Sequence, residues 1–226
     1  MSVAVIAFAI AAGLASADSS QPNDSRVVDP HPQSLLGVSS GRDARRILNS
    51  FTDCAVVEQR GLVDRLLAAI PGSREEEYRV RQLKATGCNA SVALFADDTL
   101  IRGALYESLY LTKFGASAPS DLSRAGPINY AGAVKSDRDK ASMQVLLRLF
   151  ADCVTRRNPG GVRALIMAEV GTKRERLAFE AIGRDLSDCL VPDAKLEFSF
   201  PSLRGYLAET LYRLSEKAPL ISATHQ

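Results

Sequence analysis

Histidine is nearly missing from this chain: two in 226 residues, His31 and His225. It is the side chain that supplies general bases and metal ligands near neutral pH. His31 sits in a Ser- and Pro-rich stretch and His225 is the penultimate residue, so neither is expected in a rigid site. A Ser-His-Asp triad, a Cys-His pair and a histidine-based zinc centre therefore do not fit. Walker A loops, dinucleotide fingerprints and calcium loops are missing too. The sequence assigns no catalytic residue, no metal ligand and no cofactor.

Excess charge is the next thing it lacks. Twenty-eight Lys and Arg against 26 Asp and Glu leave a formal +2, too little for a nucleic-acid footprint. Arg156, Arg157, Arg163, Lys173, Arg174, Arg176 and Arg184 form a locally basic stretch, but Glu169, Glu175 and Glu180 interrupt it, as on a solvated helix face. With 46% hydrophobic and 24% charged residues, disorder throughout is excluded.

Met1 to Leu14 is almost continuously apolar, and Ala15-Ser16-Ala17 has the small-x-small form a signal peptidase accepts. The run Val3 to Leu14 is about half of the roughly 20 residues that span a bilayer. Residues 1–17 are thus expected to be a signal peptide, with no stable membrane span after cleavage and a periplasmic or secreted product. No Lys or Arg precedes the apolar core, a departure from the usual pattern. Residues 18–40 read as a flexible leader, 115–136 as a linker of the same character, and 219–226 as a tail.

The linker separates two segments that repeat each other. Ala44, Ile47, Leu48, Phe51, Cys54 and Ala55 fall at helical spacing, and Met143, Leu146, Leu147, Phe150, Cys153 and Val154 repeat the pattern 99 residues later. The offset also carries Gly61, Val63, Leu66 and Gly72 onto Gly160, Val162, Leu165 and Gly171. Ser73 with Glu76, and Thr172 with Glu175, have capping-box spacing. After two further residues in the second copy Cys88 matches Cys189, and after one more Ile101-Arg102-Gly103 matches Leu203-Arg204-Gly205. The expected fold is all-α, two tandem repeats (41–114 and 137–218) of about four helices each. Ser91 to Phe95 and Lys195 to Phe200 are expected to be extended connectors that could pair as a minor two-stranded element.

Four cysteines in an exported chain allow three pairings, and the repeat selects Cys54 with Cys88 and Cys153 with Cys189. No C-x-x-C spacing points to a redox or metal role. Asn23 and Asn89 each open a glycosylation pattern.

Few residues invite a functional reading. Asp97-Asp98 reads as a helix cap and first turn. Glu107 and Glu209 are the carboxylates a polysaccharide-acting enzyme would use, though each is expected to be exposed or paired with an Arg. Arg102 and Arg204 each stand beside a Gly inside a helix, where Gly costs about 1 kcal/mol against Ala. Another backbone is expected to pack there, with the Arg snorkelling out or binding a buried carboxylate. Tyr106, Tyr110 and Tyr212 lie nearby, as groove or core-edge residues. Arg102, Tyr106 and Arg204 are the candidate ligand or partner contacts.

Phe51 to Val56, Phe150 to Val154 and the Leu-Arg-Gly…Leu-x-Glu-x-Leu-Tyr ending of each repeat resemble a group of exported helical proteins of alpha-proteobacteria with no established activity. The resemblance implies a Gram-negative envelope setting. The expectation is a non-catalytic interaction or structural module with a protein or envelope partner and no nucleic acid. The alternatives are a carboxylate-dependent polysaccharide-acting enzyme and a small-ligand binder with a site between the repeats.

Overall fold

In both repeats a glycine in the left-handed region turns the chain into a capped helix. Gly72 has φ 76° and Gly171 φ 75°, a conformation that a side chain disfavours. The next residue caps: Ser73 Oγ accepts from the Glu76 amide at 3.2 Å, and Thr172 Oγ1 from the Glu175 amide at 3.3 Å. The returning carboxylate goes one residue further back than the expected box, accepting from the Gly72 amide at 2.6 Å and the Gly171 amide at 2.7 Å. Each cap is worth about 1 kcal/mol.

A computed structural model describes residues 41–88, 96–119, 121–130, 138–190 and 198–218. Within them the chain is mainly helical: α1 Gly41–Glu58, α2 Arg60–Ala68, α3 Arg74–Lys84, α4 Asp98–Phe114, α5 Arg138–Arg157, α6 Pro159–Ile166, α7 Lys173–Ala181, α8 Gly183–Asp188 and α9 Phe200–Lys217. The expected eight helices become nine among the described residues, because the third helix of the second repeat breaks at Ile182, whose side chain is buried. The signal peptide, the leader, both glycosylation patterns, both histidines, the tail and most of the proposed strand pair lie outside the described residues. Phe200 itself opens α9.

The last helix of each repeat is central. α4 packs chiefly on α9, with α1 against α4 and α5 against α9, while α2 pairs with α3 and α6 with α7. Every residue from Ile101 to Tyr110 is buried, and one apolar core runs through both repeats, from Phe51, Leu66 and Leu105 to Phe150, Leu165 and Leu207. The glycines set the closest approach: a Cβ on Gly103 would lie 2.5 Å from the Gly205 Cα, and one on Gly205 would lie 2.9 Å from the Gly103 Cα. The backbone expected against each Arg-Gly helix is the other Arg-Gly helix.

Two disulfides pin the flanks, Cys54 to Cys88 and Cys153 to Cys189, the expected pairing. The connector between the repeats contributes to the packing. Leu122, Ala125 and Tyr130 are buried, and Arg156 donates to the carbonyls of Leu122, Ala125 and Gly126. The basic stretch is accordingly not a uniform solvated face. Arg163 reaches the Tyr110 hydroxyl at 2.9 Å and closes the carboxyl end of α4 through the Phe114 and Gly115 carbonyls. Leu146 departs from the expected apolar face, since its neighbour Leu147 enters the core instead.

Candidate functional site

The crossing of α4 and α9 carries a buried ionic network built twice. In the first repeat Arg102 donates to Glu76 at 2.8 Å and to the carbonyls of Leu66, Leu67 and Ala69, the open end of α2. In the second, Arg204 donates to Glu175 at 2.8 Å and to the carbonyls of Leu165, Ile166 and Ala168, the open end of α6. Each arginine thus joins three elements: its own helix, the helix whose end it caps, and the carboxylate of the capping box. A planar fork of five N–H donors suits this arrangement.

Each arginine also looks across to the glutamate of the other repeat. Arg204 grips Glu107 with two bonds, Nε to Oε2 at 2.9 Å and Nη2 to Oε1 at 2.7 Å. The reciprocal pair, Arg102 Nε and Glu209 Oε1, stands at 4.0 Å and forms no hydrogen bond. Glu209 is held elsewhere, by Arg148 at 3.0 Å and by Arg213 at 2.9 Å. Burial lowers the Arg102 and Arg204 guanidinium pKa, but the carboxylates around them outweigh it and hold both above the usual arginine value.

The two capping glutamates differ in their acidity. Burial raises both. For Glu76 that effect prevails over Arg102 and the Gly72 amide, so its carboxyl lies above the ordinary value. Glu175 has an additional partner in Arg45, and with the Gly171 amide and Arg204 this brings it below the ordinary value.

Beside this network, between the repeats, lies a cleft lined by Arg45, Asn49, Ala104, Glu107, Val170 and Arg204, with Leu48, Leu100, Pro201 and Gly205 completing its walls. Its cavity volume is about 30 Å³. At the corresponding place in the other half, Tyr206 stands for Ala104, Arg148 for Asn49 and Gln144 for Arg45. Tyr206 is buried, its hydroxyl donates to Gln144 Oε1 at 2.9 Å, and the Arg148 guanidinium lies over its ring at 5.1 Å. One half carries a ring where the other carries a cleft.

Of the sequence-predicted contacts, Arg204 borders the cleft, while Arg102 and Tyr106 are closed off in the core. Tyr106 lies under the Arg213 guanidinium at 5.3 Å and accepts from it at 2.8 Å, with Tyr212 at 5.7 Å between ring centroids. Asp97 caps α4, accepting from the Leu100 amide at 2.8 Å. Arg45, Asn49, Gln144, Arg148 and Tyr206 were not singled out by sequence. Their signal in the sequence is a difference between the repeats at matched positions. Among the described residues no group of three or more His, Cys, Asp or Glu is placed to hold a metal ion. No family model, curated protein or solved structure matches the chain.

Proposed function

We propose that this chain is an exported, non-catalytic interaction module of the cell envelope. The observation that carries the reading is the use made of its two candidate catalytic carboxylates. Both oxygens of Glu107 accept from Arg204, and the oxygens of Glu209 face Arg148 and Arg213. A glycosidase acid must present a protonated oxygen to the glycosidic bond, and both glutamates are engaged in holding helices together. The two disulfides support an oxidising compartment, and the apolar start of the sequence supports export. No helix among the described residues is long and apolar enough to cross a membrane. On α5 the exposed Leu146 and Leu149, one turn apart, lie on the helix whose Phe150 stacks with Phe198, and this apolar surface supports contact with a protein partner.

Incubating the purified protein with cell-wall glycan and counting new reducing ends tests the reading. No release is expected. Release that Glu107→Gln or Glu209→Gln abolishes would overturn it. A photo-crosslinker at Leu149 is expected to give one dominant adduct in the native envelope, whereas the same probe at Arg174 gives none.

A further inference from the structure

We propose that Glu209 is a two-position latch between α5 and the crossing of α4 with α9: Arg148 of α5 holds it in this structure, and Arg102 takes it when α5 shifts. The argument starts from the other half, where the second position is already formed. Arg204 takes both oxygens of Glu107, through Nε at 2.9 Å and Nη2 at 2.7 Å. The helix matched to α5 is α1, and the residue matched to Arg148 is Asn49. Asn49 adds one bond to Glu107 at 3.2 Å and brings no charge. It shares the carboxylate with Arg204 and does not compete for it.

Around Glu209 the framework is the same and the competitor differs. Arg102 is set as Arg204 is, with Nη1 on the capping glutamate at 2.8 Å in each and Nη2 on a carbonyl at the end of the preceding short helix. Its Nε stands 4.0 Å from Glu209 Oε1, about 1 Å beyond an ordinary hydrogen bond, and has no hydrogen-bond partner among the described residues. Arg148 Nε occupies Glu209 Oε2 at 3.0 Å, so the two-bond grip that Arg204 has on Glu107 is closed to Arg102. The side chains of Arg102, Arg148 and Glu209 are all 4% exposed or less. A carboxylate released by Arg148 thus has little water to turn to, and a buried charge left unpaired is costly. The donor within reach is Arg102 Nε. Forming that bond as the Arg148 bond breaks lowers the cost of moving α5 against α9, which makes the pairing bistable. The outer face of α5 carries the exposed Leu146 and Leu149, on either side of Arg148 in sequence. A partner seated there acts on the latch through the helix, a step that rests on the reading of the chain as an interaction module; the latch itself does not.

The test is NMR of the arginine Nε–Hε groups in the disulfide-bonded full chain, comparing wild type with Arg148→Asn, which copies the other half. No partner is added, so the outcome is independent of whether the chain is an interaction module. Arg204 Hε, bonded to Glu107, is the internal reference. In wild type the Arg102 Hε resonance is expected upfield of it, and in Arg148→Asn it should move downfield to join it. The coupling between Arg102→Lys and Glu209→Gln, read from folding equilibrium constants in urea, should be roughly tenfold larger in Arg148→Asn than in the wild-type background. Should Arg148→Asn fail to fold, Arg148→Met carries the same measurements, since it keeps an apolar stem over the Tyr206 ring. The proposal is overturned if Arg102 Hε keeps its wild-type position in a folded variant, if it already lies with Arg204 Hε in wild type, or if the coupling is unchanged. It is overturned too if neither variant folds, because a latch supplies Glu209 with a replacement partner.

Discussion

Gly103 and Gly205 face each other where α4 crosses α9, so near that a methyl group on Gly103 would fall 2.5 Å from the Gly205 Cα. That contact is backbone against backbone, with no flexible side chain to move aside. Alanine is the better helix former by about 1 kcal/mol, but here overpacking opposes it. Gly103→Ala is therefore expected to destabilise by about 1–3 kcal/mol in urea unfolding. The control is Gly160 in α6, where an added Cβ meets nothing within 4 Å and Gly160→Ala should be neutral or gain up to about 1 kcal/mol. Gly103→Ala combined with Gly205→Ala should be less than additive, since one separation of the helices relieves both.

Arg204 donates to two carboxylates and three carbonyls from a buried position. A lysine has three donors and no plane, so it cannot grip Glu107 through two atoms while reaching the end of α6. Arg204→Lys keeps the charge but loses the two-atom grip, and is expected to lose about 1–3 kcal/mol, the cost of leaving buried acceptors unpaired. Arg102→Lys should lose less, because Arg102 stands 4.0 Å from Glu209 and forms no bond to it. Denaturant titrations of the two variants side by side measure that difference.

The repeat made much of this legible in advance. Cys54 matches Cys153 and Cys88 matches Cys189, and a bridge within each copy is the pairing that a duplicated unit repeats. Helix caps are local chemistry, written over four residues, and Ser73 and Thr172 both cap as expected, with the glutamates reaching one residue further back. The central pairing of α4 with α9 was harder to read, because the residues that make it, Arg204 with Glu107 and Gly103 with Gly205, are brought together by tertiary packing across separations no periodicity encodes. A glycine beside an arginine signalled that a backbone comes close, but not which one. The cleft was legible only by subtraction: Ala104 is unremarkable until it is set against Tyr206.

The two bridges close loops of nearly equal size, with separations of 34 and 36 residues, and each constrains the unfolded chain by roughly 3–4 kcal/mol in the chain-entropy model. Replacing Cys54 and Cys88 together by Ala, or Cys153 and Cys189, should therefore lower stability by similar amounts. Because the bridges close separate loops at separate flanks, the quadruple variant should lose close to the sum. Urea unfolding of the three variants checks this, and a strongly unequal pair would mean that one reduced loop retains structure when unfolded.

Glu76 and Glu175 occupy matched places, yet their contributions to stability run in opposite directions with pH. The Glu175 carboxyl is held below its ordinary value of 4.5. Its contribution is therefore fully present above pH 4.5 and is lost as the pH falls through the folded value. The Glu76 carboxyl is held above 4.5. Its contribution is fully present below pH 4.5 and is lost as the pH rises through the folded value. The difference traces to Arg45, which pairs with Glu175, whereas Gln144 at the matched position of the other repeat carries no charge. Stability measured between about pH 7 and pH 3 should fall less steeply on acidification in Glu175→Gln than in wild type. Arg45→Gln should have the same effect by removing the pairing that opposes burial at Glu175. Glu76→Gln should do the reverse, making the acid loss steeper, because it deletes the one group of the pair that gains from protonation. An unchanged slope in Arg45→Gln would show that the Gly171 amide and Arg204 suffice to hold the Glu175 carboxylate.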